Sequence, residues 1–174
     1  MIGQGVWKMY SIQNFKKLAD LKEELESLKT QTNRTVEEKV HPAMENAIKF
    51  LYKEIMMYLE SNGLEVLENG DNFVASYKKG TINVSLIGIL RSLKIGVNAQ
   101  EIDRIDAMVI PKKQVAPMVS VTPDEFEKEI YEIQKEIENY KNILQSYSDL
   151  KVVYQNKLND VFTTVDDVIK NYFG

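Results

Sequence analysis

A chain of 174 residues that is 44% hydrophobic and 28% charged carries enough apolar side chains for a packed core, and this composition excludes a disordered polymer. Its formal net charge of -4 gives no global attraction to nucleic acid or anionic lipid. With no cysteine and a single histidine, His41, the chain cannot build disulfides, thiolate metal sites or a multi-histidine zinc site.

The opening "MIGQGVWKMY" is too short and polar for the apolar region of a signal peptide. No apolar run reaches the roughly 18 residues of a membrane span, so a cytoplasmic protein without membrane attachment is expected. From Ser11, the residues Phe15, Leu18, Leu21, Leu25 and Leu28 recur at intervals of three and four, which predicts an amphipathic helix. "TQTNRT" (30–35) predicts an interruption, because threonine and asparagine side chains compete for backbone hydrogen bonds. Thr35 and Glu38 then fit a capping box, and Pro42 predicts a kink or a shifted start. "AIKFLYKEIMMYL" (47–59) is apolar over most of its circumference and predicts a buried helix that ends at "SNG", with Gly63 as a left-handed cap. Residues 1–62 thus form an N-terminal helical arm of two helices with a break near 30–42.

The period then shortens. "LEVLE" (64–68), "FVASYK" (73–78) and "TINVSLI" (81–87), separated by turn signals, predict a three-stranded antiparallel meander. "GILRSLKIGV" (88–97) fits a strand or a short helix. "AQEIDRIDAM" (99–108) reads as a short helix capped by Asn98, and the proline-rich stretch 110–123 reads as a connector. Residues 63–121 form this β-meander head.

"TPDE" (122–125) predicts a strong helix start. From Phe126 two columns repeat every seven residues. One holds Phe126, Ile133, Tyr140, Tyr147, Tyr154, Val161 and Val168; the other holds Ile130, Ile137, Leu144, Lys151, Leu158, Val165 and Tyr172. Only Lys151 breaks the apolar pattern, so residues 122–174 read as one long helical arm with a coiled-coil register. A continuous helix over 123–173 would be about 75 Å long. "SYSD" (146–149) and the pair Thr164 and Asp167 mark candidate breaks. The tyrosine column favours a groove wider than a two-stranded zipper, because each ring is large and each hydroxyl needs a partner or water.

The fold class expected is α+β: long helical arms packed as an antiparallel coiled coil or bundle, with a small antiparallel β-meander inserted between them. This layout, arms at 11–62 and 123–173 around a β-rich segment, resembles prefoldin in architecture, although no motif carries the likeness.

Chemistry-bearing patterns are sparse. His41, beside Pro42, reads as a solvated residue near a helix boundary. The acidic run 124–138 lacks the Glu-x-x-His pairs of a di-iron bundle and interleaves Lys128 and Lys135, so it reads as a solvated helix face. No nucleotide-binding glycine loop occurs. The stretch 93–105 resembles the turn and second helix of a helix-turn-helix, with Gln100 and Arg104 facing outward. Glu101, Asp103 and Asp106 would repel phosphates there.

The expectation is a non-enzymatic interaction or assembly protein that needs no cofactor or metal. It would self-associate through a seam of Phe126, Ile130, Ile133, Ile137, Tyr140, Leu144, Tyr147, Tyr154, Leu158 and Val161, and recognise another protein as scaffold, adaptor, chaperone-like holder or inhibitor. The alternative is nucleic-acid binding through Gln100, Arg104, Lys112 and Lys113. A third is a small-ligand binder or enzyme with a pocket between sheet and arms. An open meander also offers edge strands for a partner strand, with "LEVLE" and "TINVSLI" as candidates.

Overall fold

The structure, a computed structural model, describes residues 12–88, 91–110 and 125–174. It is α+β, and its contacts divide the described chain into two compact units. One holds residues 12–35 and 125–146. The other holds 36–110 and 147–174. The consecutive three-part division read from the sequence cuts across both units.

The first unit is a pair of helices, α1 (Ile12–Thr35) and α3 (Glu125–Ser146). Leu25, Ile133 and Ile137 are buried between them, with Leu18, Leu21, Leu28 and Tyr140 packed alongside. Lys22 meets Glu129 at 2.8 Å and Lys29 meets Glu136 at 3.1 Å, so both partners advance by one heptad in the same direction. On the opposite flank Lys141 meets Glu24 at 2.7 Å. A parallel alignment with Leu25 level with Ile137 accounts for all three ion pairs. An antiparallel one that matched Glu24 to Lys141 and Lys29 to Glu136 would leave Lys22 and Glu129 about 20 Å apart along the axis. The antiparallel pairing expected from the sequence is therefore corrected: these two helices run parallel.

α1 does not stop at "TQTNRT". Thr30, Thr32 and Thr35 donate their hydroxyls to the carbonyls of Glu26, Leu28 and Gln31, at 3.0, 2.7 and 2.8 Å. Their side chains thus bond back along the helix rather than compete with it. The Thr35 hydroxyl is spent this way and the expected capping box does not form. Helical backbone continues through a π-helical turn, Val36–Val40, into α2 (His41–Ser61). The wider π turn ends two residues before Pro42, which has no N–H to give and crowds the carbonyl four residues back, that of Glu38 within the turn.

The second unit is a seven-stranded antiparallel sheet with every strand next to its sequence neighbour. Its strands are β1 (Glu65–Asn69), β2 (Asn72–Tyr77), β3 (Gly80–Ile87), β4 (Ser92–Val97), β5 (Gln100–Val109), β6 (Val152–Gln155) and β7 (Val161–Phe162). α2 and α4 (Val165–Phe173) cover one face. Ile48, Leu51, Tyr52, Ile55 and Leu59 of α2 pack on Phe73, Val84, Leu93, Ile95 and Ile105 of the sheet. Leu59, Glu60, Gly63 and Leu64 close α2 with a Schellman-type bond pair, Leu64 N–H to Leu59 O and Gly63 N–H to Glu60 O, and Gly63 has φ +83° as expected of a left-handed cap.

Two sequence expectations fail in this unit. The stretch 99–108, expected to be a short helix, instead enters the strand β5 from Gln100 onward. Asn98 and Ala99, at φ 49° and 67°, make the tight turn of a β4–β5 hairpin, so Asn98 is a turn residue and not a helix cap. The helix-turn-helix reading of 93–105 is overturned with it. The single long C-terminal helix also fails: helix ends at Ser146, and β6, β7 and α4 follow. Val152, Val153 and Tyr154 are β-type residues, and the Asn156 carboxamide locks a turn by accepting from the Leu158 and Asp160 N–H groups at 3.0 and 2.9 Å. The seven-residue spacing persists past Ser146 only because Tyr154 and Val168 each face the same core from a strand and from a helix. Thr164 and Asp167 do form the expected capping box of α4. The Thr164 hydroxyl, followed by that of Thr163, holds the Asp167 carboxyl below its ordinary range. The cap is thus fully formed above the usual carboxylate pKa and weakens as pH falls through the lowered one.

Candidate functional site

The expected seam residues separate into groups. Ile130, Ile133 and Ile137 are buried on α3, and Tyr140 and Leu144 are half-buried on the same helix. Lys29 Nζ lies 6.0 Å from the centroid of the Tyr140 ring. The Glu136 carboxylate pushes the Lys29 pKa up, as Glu24 does for Lys141. The side chain of Phe126 lies outside the described residues, as do Lys112, Lys113 and the Thr122 cap. Tyr147 sits half-buried in the turn after α3. Tyr154 is buried in β6, Leu158 is 79% exposed in the loop after it, and Val161 lies on β7 at the sheet edge. The last four therefore do not belong to a helix seam.

The Tyr154 hydroxyl donates to the Ala47 carbonyl of α2 at 3.1 Å, and burial pushes its pKa up. Tyr154→Phe is expected to cost about 1 kcal/mol in urea denaturation, because one part-buried hydrogen bond is lost while the ring stays in place.

A buried carboxylate that the sequence did not reveal links three elements. Asp103 of β5 accepts from the Arg104 N–H at 2.7 Å, from the Lys157 N–H at 3.2 Å and from the Tyr172 hydroxyl at 2.5 Å. Burial, then the bond to Asp103, pushes the Tyr172 pKa up to about 12. With its oxygens engaged by three donors, Asp103 serves as a fastener for α4 and the β6–β7 loop. Strict alternation of Asp103, Ile105, Ala107 and Val109 was the signal for its inward position; the helical reading of this stretch masked it.

The other face of the sheet is open to solvent among the described residues. Ser92, Arg104 and Asp106 form a closed set there: the Ser92 hydroxyl donates to Asp106 at 2.5 Å, and Arg104 donates to Asp106 at 2.9 Å and to Ser92 at 3.0 Å. Lys94 and Lys157 both reach Glu101, at 3.3 and 2.7 Å, and lower its pKa, Lys157 more strongly. Arg104, once a candidate phosphate contact, is thus committed to Asp106, and Gln100 opens β5 from an exposed position. Beside Lys94 and Glu101 a depression of about 300 Å³ is lined further by Asn72, Asn83, Ser85, Gly96 and Gln100. A side chain at Gly96 would press on the Gln100 carbonyl at 3.1 Å, so glycine keeps this hollow open.

Among the described residues no group of three or more histidine, aspartate or glutamate side chains is placed to hold a metal, and no helix is long and apolar enough to cross a membrane. Comparison with known protein families, with characterised proteins and with solved structures found no match to this chain.

Proposed function

We propose that this chain is a non-enzymatic assembly protein whose α1–α3 pair works as a parallel coiled coil and which associates with other protein chains, its own copies included. The observation that carries this reading is the charge-coded helix pair: an apolar seam bordered by the Lys22–Glu129, Lys29–Glu136 and Glu24–Lys141 contacts. Such borders set helix direction and register, which is the task of a spacer or scaffold rather than of a reaction centre. Since Leu25, Ile133 and Ile137 are already buried within the pair, a further chain would engage its outside. Ile12 and Phe15 of α1 are large and exposed, Phe15 at 66%, and Ile143 of α3 adds a third apolar side chain.

Sedimentation velocity tests the reading. The protein is expected to associate at about 50 μM, and Phe15→Glu to weaken that association about tenfold. A wild-type protein that stays monomeric to about 200 μM overturns the self-association part.

A further inference from the structure

The two ends of the sheet differ. β7 has two residues, whereas β1 has five and pairs only with β2 among the described residues. Edge strands of this length normally carry protection. Here the side chain at the middle of the strand is Leu67, 67% exposed, and its cross-strand partner Val74 is exposed on the same face.

The backbone of β1 has a defined free side. β1 and β2 are joined by a two-residue turn, Gly70 and Asp71, closed by Asn69 opposite Asn72, and Gly70 has φ +62°. A turn of this length makes its closing pair hydrogen-bonded, and bonded pairs then alternate along the ladder. Asn69, Leu67 and Glu65 accordingly turn their backbone groups to β2. The Glu65 carbonyl agrees with this parity, since it accepts from the Ser76 hydroxyl of β2 at 3.4 Å. Val66 and Glu68 turn their N–H and C=O groups outward.

We infer that β1 is a self-complementary docking edge, and that its occupant is the β1 strand of a second copy, paired antiparallel about Leu67. This rests on the reading that the chain associates with its own copies, and it adds a contact separate from the helix pair. With the two-fold axis at Leu67, Val66 lies opposite the second copy's Glu68, and the outward groups of both residues meet as bonded pairs. Leu67 faces its own counterpart as the unbonded pair, the arrangement that brings side chains closest. The same register sets Glu65 opposite Asn69 and no glutamate opposite a glutamate. A shift that centres the axis on Glu68 would oppose like charges. The two Leu67 side chains then pack against each other across the junction, each flanked by its own Val74, so that part of their exposed apolar surface is buried laterally.

Sedimentation equilibrium of the full chain tests this alongside amide hydrogen exchange. Two variants change the edge and leave the β1–β2 ladder its bonds. Glu68→Pro removes an outward N–H, and Leu67→Asp places like charges across the axis. Each is expected to weaken dimerisation at least about tenfold, and Leu67→Asp to do so with the thermal midpoint of the sheet unit in place. The Val66 and Glu68 amides of the wild type are expected to gain protection as concentration rises. If Glu68→Pro disturbs folding, Leu67→Asp decides, because its side chain is in solvent. Variants that dimerise like the wild type, or Val66 and Glu68 amides indifferent to concentration, overturn the β1 contact and leave helix-mediated association standing. A wild type that never leaves the monomer overturns both.

Discussion

Phe73→Ala is expected to destabilise the sheet unit by about 3–5 kcal/mol, the usual range for emptying a buried phenylalanine site. Phe73 is fully buried in β2, and its ring meets that of Tyr52 on α2 edge-on at 5.1 Å between centroids. It therefore joins the sheet to the helix that covers it, and alanine would leave a cavity between them. Tyr52 suffers too, because it loses that ring contact; burial, followed by the carboxylate of Glu68, already pushes its pKa up to about 12. The neighbour Val74, which points to the open face, is the control. Val74→Ala should change stability by no more than about 0.5 kcal/mol. Urea denaturation followed by circular dichroism checks both. A lowered midpoint with an unchanged slope assigns the effect to lost packing rather than to a changed unfolded state.

Ile137→Asp is expected to separate α1 from α3. The side chain is buried against Leu25 in the only apolar cluster the two helices share among the described residues. An unpaired carboxylate there costs several kcal/mol or protonates instead, and either outcome exceeds what a two-helix seam supplies. Hydrogen exchange should show lost protection over α1 and α3, while the amides of β3, β4 and β5 keep theirs. Retained protection on α1 would mean that the pairing does not hold those helices. The direction of the pair has its own check. The chain has no cysteine, so Leu21→Cys with Ile133→Cys introduces two thiols alone. In the parallel alignment they are level, and mild oxidation should join them in high yield. Failure to cross-link would reject this alignment. By contrast, reversing the Lys22–Glu129 pair should change stability by no more than about 1 kcal/mol, since both side chains are largely in solvent.

Local signals in the sequence carried the fold wherever a residue's neighbours decided its structure. The first three strands, the cap at Gly63 and the capping box at Thr164 depend on turn chemistry and short alternation, and they appear where those signals stand. The apolar spacing of Ile133 and Ile137, which are buried together with Leu25, is local in the same way. What failed depended on the rest of the molecule. The heptad count ran on through Tyr147 and Tyr154 because a strand residue and a helix residue aimed at one core look alike at sevenfold spacing. The threonines of α1 looked like a break because their hydroxyls have two local choices, and only the assembled helix settles which one they take. Helix direction was hidden because apolar periodicity is the same in both senses; the charges of Lys22, Lys29 and Lys141 held that information, in pairs separated by more than a hundred residues. Of the candidate surfaces, the β1 edge could be read from "LEVLE", whereas the hollow beside Gly96 required the hairpin that the sequence reading missed.

The insertion of α3 between β5 and β6 has a consequence for how the protein is made. β1 to β5 follow one another closely in the chain and can pair as they leave the ribosome, whereas the sheet's last two strands wait for the tail. Tyr154 reaches Ala47 across 107 residues of chain, and Tyr58 reaches the carbonyl of Phe173 across 115. Until those contacts close, β5 is an unpaired border that carries Ile102, Ile105, Met108 and Val109. Such non-local closure is slow. A nascent chain arrested just before residue 150 should thus be the most aggregation-prone species in the protein's synthesis, and a good substrate for chaperones.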